Sequence, residues 1–100
     1  NNFIAKIKID GVFAVTDKYA LNFIKKIKNL KINIPDDVQI IGFDGSKSSI
    51  EDDFKISTIR QPVELIAKES VKILLKIIES KKVEKEVILP IKFIKGYTTK

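Results

Sequence analysis

Gly11-Val12-Phe13-Ala14-Val15 and Val38-Gln39-Ile40-Ile41-Gly42-Phe43-Asp44, with the segment between them, decide the fold of this chain. Each is a short, nearly continuous apolar run, the pattern of a strand buried on both faces of a parallel sheet. Between them Ala20, Phe23, Ile24, Ile27 and Leu30 recur at three- and four-residue spacing, with Lys18, Asn22, Lys25 and Lys28 opposite. That is an amphipathic helix with one core face. Thr16 and Asp17 stand just before it, and either can cap it by accepting a bond from an orphan backbone N–H. Ile34-Pro35-Asp36-Asp37 reads as a turn, because proline fixes φ and aspartate satisfies local backbone donors. Strand, helix and strand over residues 11–43 form a βαβ unit, which demands a parallel sheet and a right-handed crossover.

Working outward, Asn2 to Lys8 carries Phe3, Ile4 and Ile7 on one helical face and reads as the tail of a helix. After the second strand, Asp44-Gly45 is a stop and Ser46 to Asp53 a polar loop. Ile56 to Ile59 is a brief extended piece leading to Arg60-Gln61-Pro62. Pro62 suits a helix start, and the helix predicted over Val63 to Ser80 has an apolar face wide enough to be covered on more than one side. Ser80 to Lys85 is a charged linker. Glu86 to Lys95 is extended, with Pro90 marking a sheet edge or crossing point.

In open parallel α/β sheets, ligands bind beyond the carboxyl ends of the strands. Thr16-Asp17 follows the first strand and Asp44-Gly45 ends the second, so the βαβ unit brings both pairs to one edge. Ionised carboxylates only accept hydrogen bonds, which suits a polyhydroxylated or amine-bearing ligand. Each has a plainer reading: Asp17 as a helix cap, Asp44-Gly45 as a turn signal. Asp36-Asp37 and Glu51-Asp52-Asp53 lack calcium-loop spacing and read as solvated loop charge. Gly42-Phe43-Asp44-Gly45 lacks the glycine spacing of a dinucleotide fingerprint.

The composition excludes several classes. The chain has no Cys and no His, so there is no disulfide framework, thiolate nucleophile or Cys-ligated zinc, and the commonest general base is missing. No serine sits in a Gly-x-Ser-x-Gly elbow, so no catalytic residue, metal or cofactor is assigned. No apolar run is long enough to span a bilayer, and nothing resembles a signal peptide. The net charge of +6 suggests nucleic acid, but Arg60 is the only arginine among 19 basic residues and the lysines are spread along the chain. Arginine is the usual reader of guanine edges, so the charge is not assigned to a DNA contact.

Four motifs, in order, resemble one family. Asp10 to Asp17 followed by Ala20-Leu21 is similar to its "aspartate, apolar strand, Asn/Ser/Thr, Asp, x, x, Ala, Leu" stretch. Ile34-Pro35-Asp36-Asp37-Val38-Gln39-Ile40-Ile41-Gly42-Phe43-Asp44 resembles its apolar-Pro-x-Asp to Gly-Phe-Asp stretch. Ser57-Thr58-Ile59-Arg60-Gln61-Pro62 resembles Thr-Thr-apolar-Arg-Gln-Pro, and Leu89-Pro90 with Thr98-Thr99 fits its C-terminus. The family is that of the lac-repressor/gal-repressor transcription regulators, and the match covers nearly the whole chain.

The resemblance implies an α/β chain, a parallel-sheet fragment of the two-lobed periplasmic-binding-protein-like type I fold. Residues 1–59 would belong to the C-terminal lobe, residues 60–85 would be a crossover strand and helix of the N-terminal lobe, and residues 86–100 would return to the C-terminal lobe. Asp44, Asp17 and Thr16 would bind a small-molecule effector, a sugar or sugar phosphate. Thr16 stands where the family pattern often has Asn, which removes an amide donor. Leu21, Ser49, Ile50 and Glu51 would lie on a homodimer surface, although the acidic Glu51-Asp52-Asp53 replaces the family's aromatic and Pro-Pro. Operator DNA would be met through an upstream helix-turn-helix, in the cytoplasm and away from membranes. The alternative is a periplasmic or lipoprotein sugar-binding receptor of an ABC transporter; the Arg60-Gln61-Pro62 motif favours the regulator.

Overall fold

The computed structural model describes residues 8–45 and 55–100. Of the helix tail predicted over Asn2 to Lys8 only Lys8 lies within them, and it is not helical; the polar loop at 46–53, with Ser49, Ile50 and Glu51, lies outside them. The chain divides into two compact units, residues 1–60 with 93–100, and residues 61–92.

In the first unit the βαβ reading holds. Strand β1 (Gly11–Phe13), helix α1 (Asp17–Ile27), a 3₁₀ turn (Lys28–Leu30), β2 (Gln39–Asp44) and β3 (Ser57–Arg60) follow in order. With β4 (Lys92–Ile94) they build a sheet of order β1-β2-β3-β4. β1 pairs parallel to β2 (Val12 opposite Ile40) and β2 parallel to β3 (Gly42 opposite Thr58). Side chains alternate across a strand, so this register puts Val12, Ile40, Gly42 and Thr58 on one face, and Phe13, Ile41, Phe43 and Ile59 on the other. The first face receives α1. Ala20, Ile24 and Ile27 are buried with Ala14, Val38, Ile40 and Ile56 in one core, each fully buried isoleucine being worth about 1.5–3 kcal/mol.

Two expectations change here. The first strand is not buried on both faces: it ends at Phe13, and Phe13 and Val15 are each 63% exposed. β1 is an edge strand, and α1 covers only one side of the sheet. On the other side the Phe13 and Phe43 rings meet edge to face with centroids 6.4 Å apart. The core face of α1 also stops earlier than its periodicity suggests. The α-helix ends at Ile27 and tightens into the 3₁₀ turn, where side chains shift off the 3.6-residue stripe, so Leu30 is exposed.

The end of the chain seals the opposite edge of the sheet, where β2 and β3 begin. Thr98 Oγ1 accepts from Ser57 N at 2.8 Å and donates to Ile40 O at 2.7 Å, while Thr98 O accepts from Ile40 N. The Ser57 and Thr99 hydroxyls are 2.6 Å apart, and Gly96 N donates to Ser57 Oγ. Gly96 is required by close approach: a Cβ there would strike the Lys55 carbonyl oxygen and the Ile56 backbone. These buried hydroxyls bond one another and the strand ends, so the polar atoms buried here are satisfied, as the low interior dielectric demands.

In the second unit, helix α2 spans Val63–Ile78, with Pro62 at its N-cap. It ends two residues short of the predicted Ser80, which has φ 55° and cannot continue a right-handed helix. None of its residues is buried, and Val63, Val71, Leu74, Leu75, Ile77 and Ile78 all lie exposed. The covering expected from its wide apolar face is not supplied by the described residues. Within residues 86–95 only Lys92–Ile94 is strand, shorter than the extended run predicted. Among the described residues no helix is long and apolar enough to cross a membrane.

Candidate functional site

β1 ends at Phe13 opposite Ile41, three residues before β2 closes at Asp44, and Thr16 and Asp17 follow β1. Ala14 N donates to Ile41 O at 2.8 Å, carrying the β1 alignment one residue past the strand. Beyond it the chain bends at residues 15–16 and turns into α1, so that Asp17 comes to lie against Gly42 on β2.

Of the two possible caps, Thr16 is the one used. It has extended backbone angles (φ −143°, ψ 159°), and its Oγ1 accepts from Tyr19 N at 3.3 Å. Asp17 is the first helical residue, a position where the helix dipole favours a negative charge. It is 3% exposed, and its Oδ1 accepts a 2.6 Å bond from Thr58 Oγ1 on β3, itself fully buried. A carboxylate taken from water needs such donors.

Gly42 makes room for this arrangement. A Cβ on Gly42 would collide with Asp17 Oδ1 and would lie 3.3 Å from Asp17 Cα and 3.2 Å from Ile56 Cδ1. The glycine of Gly42-Phe43-Asp44 thus lets the first turn of α1 settle on β2.

Asp44 closes β2 in an unusual conformation. Its φ is 105°, and Gly45 follows at φ 62°. Positive φ is costly for a residue with a Cβ, about 1–3 kcal/mol, and such strain concentrates at functional sites. Asp44 is part-exposed and pairs in register with Arg60. A Cβ on Gly45 would lie 2.7 Å from Arg60 Cβ and 2.8 Å from its Cα, so Gly45 cannot be replaced without moving the end of β3.

Thr16 and Asp17 thus stand at the start of α1, with Asp17 buried against Gly42, two residues before Asp44 on β2. Leu21 is partly buried and packs against the core of its own unit. Sequence reasoning gave Thr58 no role, placing it in a brief extended piece and in the Ser57 to Pro62 motif; its place two residues after the apolar Ile56 was the available sign that it faces inward.

A family profile described as a periplasmic binding protein-like domain matches residues 2–99. The chain belongs to the periplasmic-binding-protein-like domain family. Within that family its relatives are regulators of the lac-repressor/gal-repressor type. The sucrose operon repressor of Streptococcus mutans is 38% identical over 90 residues, covering 89% of this chain and 28% of the repressor. The crystal structure of a periplasmic binding protein/LacI transcriptional regulator from Alkaliphilus metalliredigens, complexed with D-xylulofuranose, is 36% identical with a TM-score of 0.79, over 90% of this chain and 34% of that one. The lac repressor dimer bound to operator and an anti-inducer is 25% identical with a TM-score of 0.81, over 89% of this chain and 31% of that one. The chain therefore spans about a third or less of the length of these relatives.

Proposed function

We propose that this chain forms one rim of the effector pocket in a sugar-responsive transcriptional repressor. Asp44 and Thr16 meet the effector at the surface of the sheet edge, with Asp17 set beneath them. The observation that carries the reading is Asp44, a part-exposed carboxylate at the carboxyl end of β2, held at φ 105°. Carboxylates at such an edge accept from sugar hydroxyls, and a related regulator is complexed with D-xylulofuranose. A sugar, or a sugar phosphate, is the effector class.

In this reading residues 1–59 and 86–100 belong to one lobe of a two-lobed core, and residues 60–85 to the other. The exposed apolar face of α2 then packs within that second lobe. Leu21 with Ser49, Ile50 and Glu51 contributes to a homodimer surface, and operator DNA is met by a helix-turn-helix elsewhere in the regulator, in the cytoplasm. Effector acts by binding one arrangement of the lobes better than the other, which shifts operator affinity by that difference. The protein is a binding protein and not an enzyme. The transport-receptor alternative lacks comparable support, since the relatives above are named as repressors or regulators.

The test is operator binding by the full regulator, followed by fluorescence anisotropy with and without D-xylulose, D-ribose or sucrose. One of these sugars is expected to change operator affinity by about 5–150-fold, the usual span of allosteric coupling. Operator binding that no sugar alters would contradict the reading.

A further inference from the structure

Three observations converge on one point beneath the proposed pocket. Thr58 lies opposite Gly42 in the β2–β3 register. Gly42 has no Cβ, and the space a Cβ would need is filled by Asp17 Oδ1. Thr58 Oγ1 donates to that same oxygen at 2.6 Å, with both residues buried. One hydroxyl on β3 thus holds the first residue of α1 against β2, and Thr16 stands immediately before that residue.

We propose that Thr58 is a positioning residue for effector recognition, fixing the Asp17 carboxylate and, through it, the Thr16 end of α1. This rests on the pocket reading above. Packing alone does not call for the pair. The surrounding core is Ala, Ile and Val, and a buried ionic or polar pair is often no more stabilising than apolar residues of the same volume. What the pair does supply is orientation: a short bond to a charged acceptor constrains direction as well as distance. The acceptor lies on the helix that opens at the rim, the donor on the strand that ends at Arg60, and the carboxylate oxygen occupies the space that a Cβ on the glycine between them would fill. Small displacements of such a group weaken ligand binding without unfolding the protein, because recognition sites depend on the shell that orients them.

The experiment compares four forms of the full regulator by calorimetric titration with D-xylulose, D-ribose and sucrose: wild type, Thr58→Val, Thr58→Ser and Thr98→Val. Thr58→Val keeps the shape and removes the hydroxyl. Thr98→Val removes a buried hydroxyl at the opposite edge of the sheet and controls for lost stability. The sugar bound by wild type should bind Thr58→Val at least about 10-fold more weakly, the scale on which a partner that orients a binding group acts on affinity. Thr58→Ser should regain most of that affinity, and folded Thr98→Val should bind as wild type. Unchanged affinity in Thr58→Val, no rescue by serine, or an equal loss in Thr98→Val would each overturn the assignment. A wild type that binds none of the three sugars would instead overturn the pocket reading on which it rests.

Discussion

Replacing Gly42 by alanine tests the packing beneath the rim with a single carbon. The added Cβ meets Asp17 Oδ1, Asp17 Cα and Ile56 Cδ1 at once. None of these is the free end of a flexible side chain in open space: Asp17 is tied to Thr58, and Ile56 is buried in the core. Forcing an extra carbon into such packing costs about 1–3 kcal/mol. If Asp17 yields, its bond from Thr58 is also lost, about 1.5–3 kcal/mol for a bond to a charged group. Alanine's lower entropy cost in a strand offsets about 0.5–1 kcal/mol. The net expectation is a loss of about 2–4 kcal/mol. The assay is equilibrium urea unfolding followed by far-UV circular dichroism, with Gly11→Ala as control. A Cβ on Gly11 meets nothing within 4 Å, so that variant should be unchanged or stabilised by about 0.4–1 kcal/mol. In an Asp17→Ala background the obstructing carboxylate is gone, and Gly42→Ala should cost much less, a coupling that a double-mutant cycle reads directly. Equal stabilities for wild type and Gly42→Ala, or additive costs of the two substitutions, would refute the close approach of Asp17 to β2.

Two further outcomes follow from the strand ends. Thr98→Val removes the partner of both Ser57 N and Ile40 O at a buried edge and should cost about 2–6 kcal/mol in the same unfolding assay, one to three for each group left without it. Thr98→Ser should lose less than half of that. At Asp44, Asp44→Ala and Asp44→Gly both delete the carboxylate and should both abolish the sugar response. The glycine variant should be the more stable of the two by about 1–2 kcal/mol, because only it relaxes at φ 105°.

How much of this was legible in the sequence depends on the range of the interaction. The βαβ unit was readable because hydrophobic periodicity is local: Ala20, Ile24 and Ile27 announce their shared face within two turns, and Ile40 its strand. The parallel pairing of β1 with β2, which sends both strands toward the same end of the sheet, followed from the βαβ pattern alone. The choice between Thr16 and Asp17 as the cap did not, since both residue types cap well and only the fold decides which side chain is drawn inward. The partners of Asp17 and Thr98 lay 41 and 58 residues away, and no window along the chain reveals such pairings. Thr58 and Thr98 therefore stood in the sequence as motif residues without an assigned contact. The burial of β1 and α2 was misjudged for another reason: apolar runs state what a segment needs to cover it, not which residues provide the cover. Phe13 and Leu74 carry that need in the sequence and stay exposed among the described residues.

The central claim is that effector is met at the carboxyl edge of β1 and β2. Backbone amide chemical shifts recorded in the full regulator as sugar is added test it most directly. The largest changes should fall on Thr16 to Tyr19 and on Asp44 and Gly45, with little change at Gly96 to Lys100 on the opposite edge. A saturating sugar that left residues 16–19, 44 and 45 unmoved, while shifting other parts of the chain, would contradict it.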